Sequence, residues 1–147
     1  MRTGQNETKP MGEVRVKVKL TNFHDELRAD EGRLKPSQIR RCTIEAVVDP
    51  GAVRSVIPQQ VLKRIGIRPR GERLARYADG RTESVGLAEG IRFEIMDRDT
   101  TDDALMLGDE VLIGQTVLEK LDLLVDCANR QLVPNPKNPD QPVSMVR

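Results

Sequence analysis

Residues 47–52, VVDPGA, run from two valines into Asp49, Pro50, Gly51 and Ala52. Pro fixes its own φ and Gly tolerates a positive one, so the Pro50-Gly51 pair suits a type II turn. An Asp ahead of such a turn commonly holds nearby backbone N–H groups with its carboxylate. Taken alone, the six residues read as an ordinary turn closing a buried strand. Whether Asp49 also does chemistry is decided by what lies on either side.

Upstream, EVRVKVKL (13–20) alternates Val14, Val16, Val18 and Leu20 with mostly charged neighbours, which predicts a strand with one wet face. HDELRADEGRLKPSQ (24–38) reads as a polar connector without an apolar period, and QIRRCTIEAVV (38–48) as a second strand entering the core. The two strands are expected to pair across a long loop. Downstream, VRSVIPQQVLKRIGI (53–67) ends a short strand at Ile57. Pro58 then opens a helix with Val61, Leu62 and Ile65 on one side, and Gly66 stops it.

Residues 72–96 carry Asp79-Gly80 between strand-like runs, a strong hairpin signal. DRDTTDD (97–103) reads as a solvated acidic loop; it lacks the spacing and the Gly of a calcium loop. ALMLGDEVLIG (104–114) predicts two short strands about Gly108-Asp109, and QTVLEKLD (115–122) a short helix with Val117, Leu118 and Leu121 inward. LLVDCANRQLVP (123–134) predicts strand, turn at Ala128-Asn129, and strand. No parallel β-α-β alternation stands out. Many short strands with one or two short helices predict an all-β barrel or a β-rich α+β domain.

The expected organisation is a flexible N-terminal arm over 1–11, one folded domain over 12–134 and a Pro-rich tail over 135–147. A chain of 147 residues suits one such domain. With 24 basic and 23 acidic residues the net charge is +1, and aromatics are 2%, so neither the charge nor the stacking surface of a nucleic-acid binder is expected. No apolar run approaches the ~20 residues of a membrane span, and no secretory h-region is seen near the start. Cys42 and Cys127 form no metal-binding spacing, and the single His24 has no nucleophile motif around it. No metal and no cofactor is expected, and a reducing, cytoplasmic setting with two free thiols is.

In order and spacing these pieces resemble the retropepsin-like aspartic proteases, especially their small bacterial members. Four stretches carry the resemblance: VVDPGA, VIPQQVLKRIGI, YADGRTESVG and VLIGQTVLEKLDLLVDCANRQLVP. It covers roughly 40–134, with 14–20 in the place of the family's first strand. It implies a small closed acid-protease β-barrel and a homodimer that places one Asp49 from each chain on the two-fold axis. Two such carboxylates share a proton and activate a water against a peptide bond. The substrate is then a peptide or protein, apolar by default for an apolar cleft. Pro50, Gly51 and Ala52 would shape the aspartate loop. Tyr77, Ala78, Asp79 and Gly80 would form the flap over the substrate. Leu112, Ile113 and Gly114 would pack beside the aspartate.

One departure concerns the mechanism itself. The family usually has Thr or Ser where this chain has Pro50, and that hydroxyl bonds across the dimer axis. Proline supplies neither the hydroxyl nor an N–H. Three readings therefore stand: an active dimeric endopeptidase, a catalytically impaired relative that binds peptide or dimerises, and an unrelated β-barrel in which Asp-Pro-Gly is only a turn. A smaller departure is Gln115-Thr116, where many relatives place an Asp soon after the glycine.

Overall fold

A computed structural model describes residues 13–146. The arm expected over 1–11 lies outside them. Of the described residues strands take up 43% and helices 18%, so the fold is all-β in character, as expected. Val14–Asn22 (β1) and Arg41–Val48 (β2) pair antiparallel from Val14↔Val48 to Thr21↔Arg41. Ser55–Ile57 (β3) leads into the helix Gln59–Arg64 (α1), and Gly66 follows at φ +70°. Glu72–Arg76 (β4) and Thr82–Ile95 (β5) form the expected hairpin.

Arg98–Met106 (β6), Leu112–Ile113 (β7) and the helix Gln115–Leu121 (α2) come next. Leu123–Asp126 (β8) and Gln131–Pro134 (β9) close the chain as a separate two-stranded sheet. The main sheet runs β1-β2-β7-β3-β6-β5-β4, and β1 also pairs with β5 through Lys19–Asn22 and Ile91–Glu94. That last pairing closes six strands into a barrel and leaves β4 as a lone edge strand.

Closure needs β5 to serve three neighbours. A bulge between Ala88 and Ile91 lets it bend from the β4 side toward β1. Gly90, at φ +77°, sits in the bulge; a Cβ there would lie 2.4 Å from the His24 ring. The inward residues of the strands, Val14, Val18, Leu20, Ala46, Ile91 and Phe93 among them, are essentially inaccessible. Each large apolar side chain so buried contributes roughly 1.5–3 kcal/mol. The two helices cover the barrel with the expected apolar sides, Val61, Leu62 and Ile65 from one and Val117, Leu118 and Leu121 from the other.

Two expectations are corrected. The polar stretch after β1 is not a plain connector: residues 23–30, Phe23–Asp30, form a helix, and Pro36–Gln38 a 3-10 turn. The helix has almost no apolar side, which hid its period. It is set instead by polar contacts: Asn22 caps it by accepting from the Asp25 N–H, and its amide donates to the Ile65 carbonyl. Buried Asp25 accepts from the Arg40 backbone N–H and from the Nε and Nη2 groups of its guanidinium at 2.9–3.0 Å. His24 is accordingly exposed on a helix rather than in a loop.

All of the acidic run 97–103 but Asp97 is strand, not loop. The turn is only Met96 and Asp97, both at positive φ between paired Ile95 and Arg98. That two-residue hairpin geometry normally calls for Gly or Asn, so no turn signal was visible. Arg98 is buried and donates to the carbonyls of Leu121, Asp122 and Asn138.

Residues 135–143 contain no strand, but they are fastened to the body. The Asp122 carboxylate accepts from the Asn135 and Asn138 side chains and from the Val143 N–H. These contacts lower the proton affinity of Asp122, the Asn135 amide most of all.

The Arg40 side chain, and then its backbone N–H, hold the Asp25 carboxyl below the usual carboxylate range. A depressed folded-state value stabilises the fold above the unfolded value of about 4 and is lost as pH falls through the folded one. Asp25→Ala should therefore cost about 2 kcal/mol near neutral pH. Urea melts of both proteins across pH should show that gap shrinking only in acid, below about pH 4.

Candidate active site

β2 carries its sheet bonding as far as Asp49. Val47 N–H donates to Val111 O at 2.9 Å and Asp49 N–H to Ile113 O at 2.8 Å. Pro50 has no N–H to continue the ladder, and the chain turns: Ala52 N–H returns to Asp49 O at 3.1 Å. Asp49 Oδ1 accepts the Gly51 N–H at 3.1 Å. Its other oxygen carries no hydrogen bond from a described residue.

The turn is not type II as expected, because Gly51 is not at positive φ. The carboxylate captures the Gly51 N–H and sets the turn instead. Gly51 still has a spatial role, since a Cβ there would lie 3.3 Å from Asp49 Oδ1 and press on the carboxylate.

The segment after the turn is laced to the segment after β7. Val48 pairs with Ile113 in parallel, and Val56 with Leu112 antiparallel, so β7 lies between β2 and β3. Beyond it Gln115 N–H donates to Ala52 O at 2.7 Å and Thr116 N–H to Val53 O at 3.1 Å. Gly114 N–H donates to the buried Ser55 hydroxyl at 2.9 Å. Gly114 is there for space: a Cβ would sit 2.6 Å from the Arg54 carbonyl carbon and oxygen and 2.9 Å from Ser55 N. The two parallel pairings this crossing needs, β2 with β7 and β3 with β6, join strands far apart in sequence. They left no local β-α-β signature.

A polar brace stands behind the loop. The Thr116 hydroxyl lies 3.0 Å from Val53 O and 2.9 Å from Asp102 Oδ2. Asp102 is also paired with Lys120 at 3.4 Å, and Arg54 with Asp103 at 2.7 Å. Thr116 thus holds the Val53 carbonyl through its N–H, its one hydroxyl proton serving either that carbonyl or Asp102, while the Val53 side chain is 69% exposed beside the aspartate turn.

Asp49, Pro50, Gly51 and Ala52 therefore lie against Leu112, Ile113 and Gly114. Tyr77, Ala78, Asp79 and Gly80 form the tip of the β4–β5 hairpin and make no hydrogen bond to that loop. The tip is ordered by its own contacts. Tyr77 N–H donates to Arg81 O, Gly80 N–H to Tyr77 O, and the Tyr77 hydroxyl to Glu83. The Arg81 guanidinium lies 4.4 Å over the Tyr77 ring and pairs with Asp79. Arg81 lowers the proton affinity of Asp79, and Glu83 raises that of the Tyr77 hydroxyl.

Ser55 and Asp102 escaped notice in the sequence, and Thr116 was read only as a departure after Gly114. Each is an unremarkable polar residue whose partner is remote along the chain. A hollow of about 420 Å³ lies between the second half of α2, Leu123 and the tail around Val143, and Asp49 does not line it.

Gly114→Ala forces the Arg54–Ser55 backbone to move and should cost about 3 kcal/mol. Thr116→Val removes a single hydroxyl from the brace and should cost about 1 kcal/mol. Chemical denaturation of the two variants beside the wild type checks both the values and their order.

No curated protein matches the chain. The model of one family, aspartyl protease, matches residues 36–117, which are 82 of the 147. The match begins in the 3-10 turn before β2, takes in the Asp49 turn and the hairpin, and ends inside α2. By that match, and by the crossing that builds its aspartate loop, the chain belongs to the retropepsin-like aspartyl proteases.

Proposed function

We propose that the protein is an aspartic endopeptidase whose active site forms when two copies of the chain bring their Asp49 side chains together. One observation carries the reading. Asp49 stands at the end of a strand, on a backbone clamped on both sides, with one carboxylate oxygen held by the Gly51 N–H and the other unengaged. The held oxygen shapes the turn, as it would for any turn-forming Asp; the unengaged oxygen on a clamped backbone is what a general base needs, a position fixed to within a fraction of an ångström.

In the dimer a water would sit between the paired carboxylates. Two carboxyl groups so close keep one proton between them. The ionised one takes a proton from the water as its oxygen attacks the peptide carbonyl. The protonated one donates to the carbonyl oxygen, which carries the developing negative charge. Collapse of the tetrahedral intermediate expels the amine, which takes its proton from the dyad. The hairpin tip over Tyr77–Gly80 would close on the substrate and exclude water. The candidate loop lies on open surface in a single chain, as a half-site does.

Pro50 is exposed at the turn, where the family's hydroxyl would reach toward the partner. Without that hydroxyl the dimer lacks a symmetric pair of hydrogen bonds, each worth about 0.5–1.5 kcal/mol. This favours weak association and activity that rises with protein concentration. A peptide-binding relative with impaired catalysis is the alternative that the same residue supports. Cys42 is buried, Cys127 is exposed and both are free thiols, which suits a cytoplasmic setting.

Incubation with a mixed peptide library at about pH 4–7, the range in which carboxylate pairs work, tests the proposal. The wild type should cleave, Asp49→Asn should be silent, and Pro50→Thr should raise both the dimer fraction and the rate. Cleavage that survives Asp49→Asn would overturn it. A silent wild type rescued by Pro50→Thr would instead establish the impaired reading.

A further inference from the structure

Positive charge is concentrated around the hairpin. Residues 64–81 hold Arg64, Arg68, Arg70, Arg73, Arg76 and Arg81 against Glu72 and Asp79, a net of +4 in a chain whose total is +1. The other 129 residues are therefore net −3. All six arginines are exposed. Only Arg81 has an ion-pair partner among the described residues, namely Asp79. Glu72 is engaged by the Ser84 hydroxyl and Glu83 by that of Tyr77, and neither forms an ion pair with an arginine among the described residues.

The backbone says what shape of partner fits. β4 is the terminal strand of the main sheet, and among the described residues none pairs with its outer edge. An unpaired edge offers alternating N–H and C=O groups to an extended peptide. Arg73 and Arg76 are three residues apart on this strand, so they flank the edge on opposite faces. Between them Leu74 is 70% exposed. A nucleic acid fits less well, since the one aromatic ring of the hairpin, Tyr77, is already covered by Arg81.

We propose that the substrate of this protein is an acidic polypeptide segment. It lies extended along β4, with Asp or Glu side chains meeting Arg73 and Arg76 on either side of an apolar residue at Leu74. This rests on the protease reading above and replaces a purely apolar preference with acidic residues around an apolar one. Charge of this kind governs capture and choice of partner more than tightness at high salt.

The full chain carrying Asp49→Asn, which would hold a peptide without cutting it, serves for binding by fluorescence anisotropy. The probes are three: a short Glu-rich peptide with a central Leu pair, the same peptide with Lys for Glu, and single-stranded oligothymidylate. The Glu peptide should bind about tenfold tighter than the Lys peptide at low salt, and the difference should fade near 0.5 M NaCl, where the screening length drops to about 4 Å. Arg73→Ser with Arg76→Ser should abolish the difference. Equal binding of the two peptides, a difference that survives the double substitution, or tighter binding of oligothymidylate would each overturn the proposal.

Hydrolysis by the wild type is read separately. Library cleavage with no acidic enrichment around the cut sites sinks the substrate proposal and leaves the protease reading intact. Arginine-dependent capture of the Glu peptide, with no cleavage of it or of the library, sinks the protease reading and leaves the acidic segment a bound ligand rather than a substrate.

Discussion

The close approach of two backbone segments at Gly114 is the constraint on which the rest depends. Residues 49–54 leave β2 and residues 114–116 leave β7, and each segment satisfies the other's hydrogen bonds. Ala52 and Val53 accept from Gln115 and Thr116, and Ser55 accepts from Gly114. Only a residue without a side chain fits between Arg54 and Ser55. If the crossing failed, β7 would lose its place between β2 and β3, the barrel would open, and Asp49 would be an acidic residue on a loose turn.

Around this crossing the molecule divides into parts with different tasks. The barrel interior and its two covering helices are apolar and supply stability. The polar elements outside it hold segments in place. Asp25 fixes the return from the helix Phe23–Asp30 through Arg40, Arg98 and Asp122 fasten the tail, and Asp102 and Thr116 brace the aspartate loop from behind. The hairpin stands apart from both groups. Its tip and outer strand, residues 72–84, are largely exposed and rich in charge, and no described strand pairs with the outer edge of β4, as befits an element that meets another chain. Pro50 is the departure from the family's motif that falls in the aspartate loop itself, and it is exposed there.

Much of this was legible in the residues. Alternation in β1 and β2, the Asp79-Gly80 hairpin, the helix between Pro58 and Gly66 and the apolar side of Val117, Leu118 and Leu121 all follow local periodicity or turn chemistry, and the structure has them. The Asp49 turn and the Leu112–Gly114 segment were found through resemblance, because what joins them is a contact between remote parts of the chain. What stayed hidden was either non-local or against local rules. The helix after β1 depends on Asn22 and Asp25 rather than on apolar spacing. The start of β6 was masked by a turn made of Met96 and Asp97, two residues that seldom take positive φ together. The brace of Thr116 and Asp102 has no sequence signal.

The central claim is that catalysis belongs to a pair of Asp49 residues, one from each subunit. Mixing wild-type chains with Asp49→Asn chains and allowing the subunits to exchange tests it most directly. With equal amounts, random pairing leaves about a quarter of the dimers with two aspartates. Activity per total protein should then fall to about a quarter of the wild-type value, following the square of the wild-type fraction. A fall to only about a half, in proportion to that fraction, would mean that each chain works alone, and the paired site would have to be abandoned.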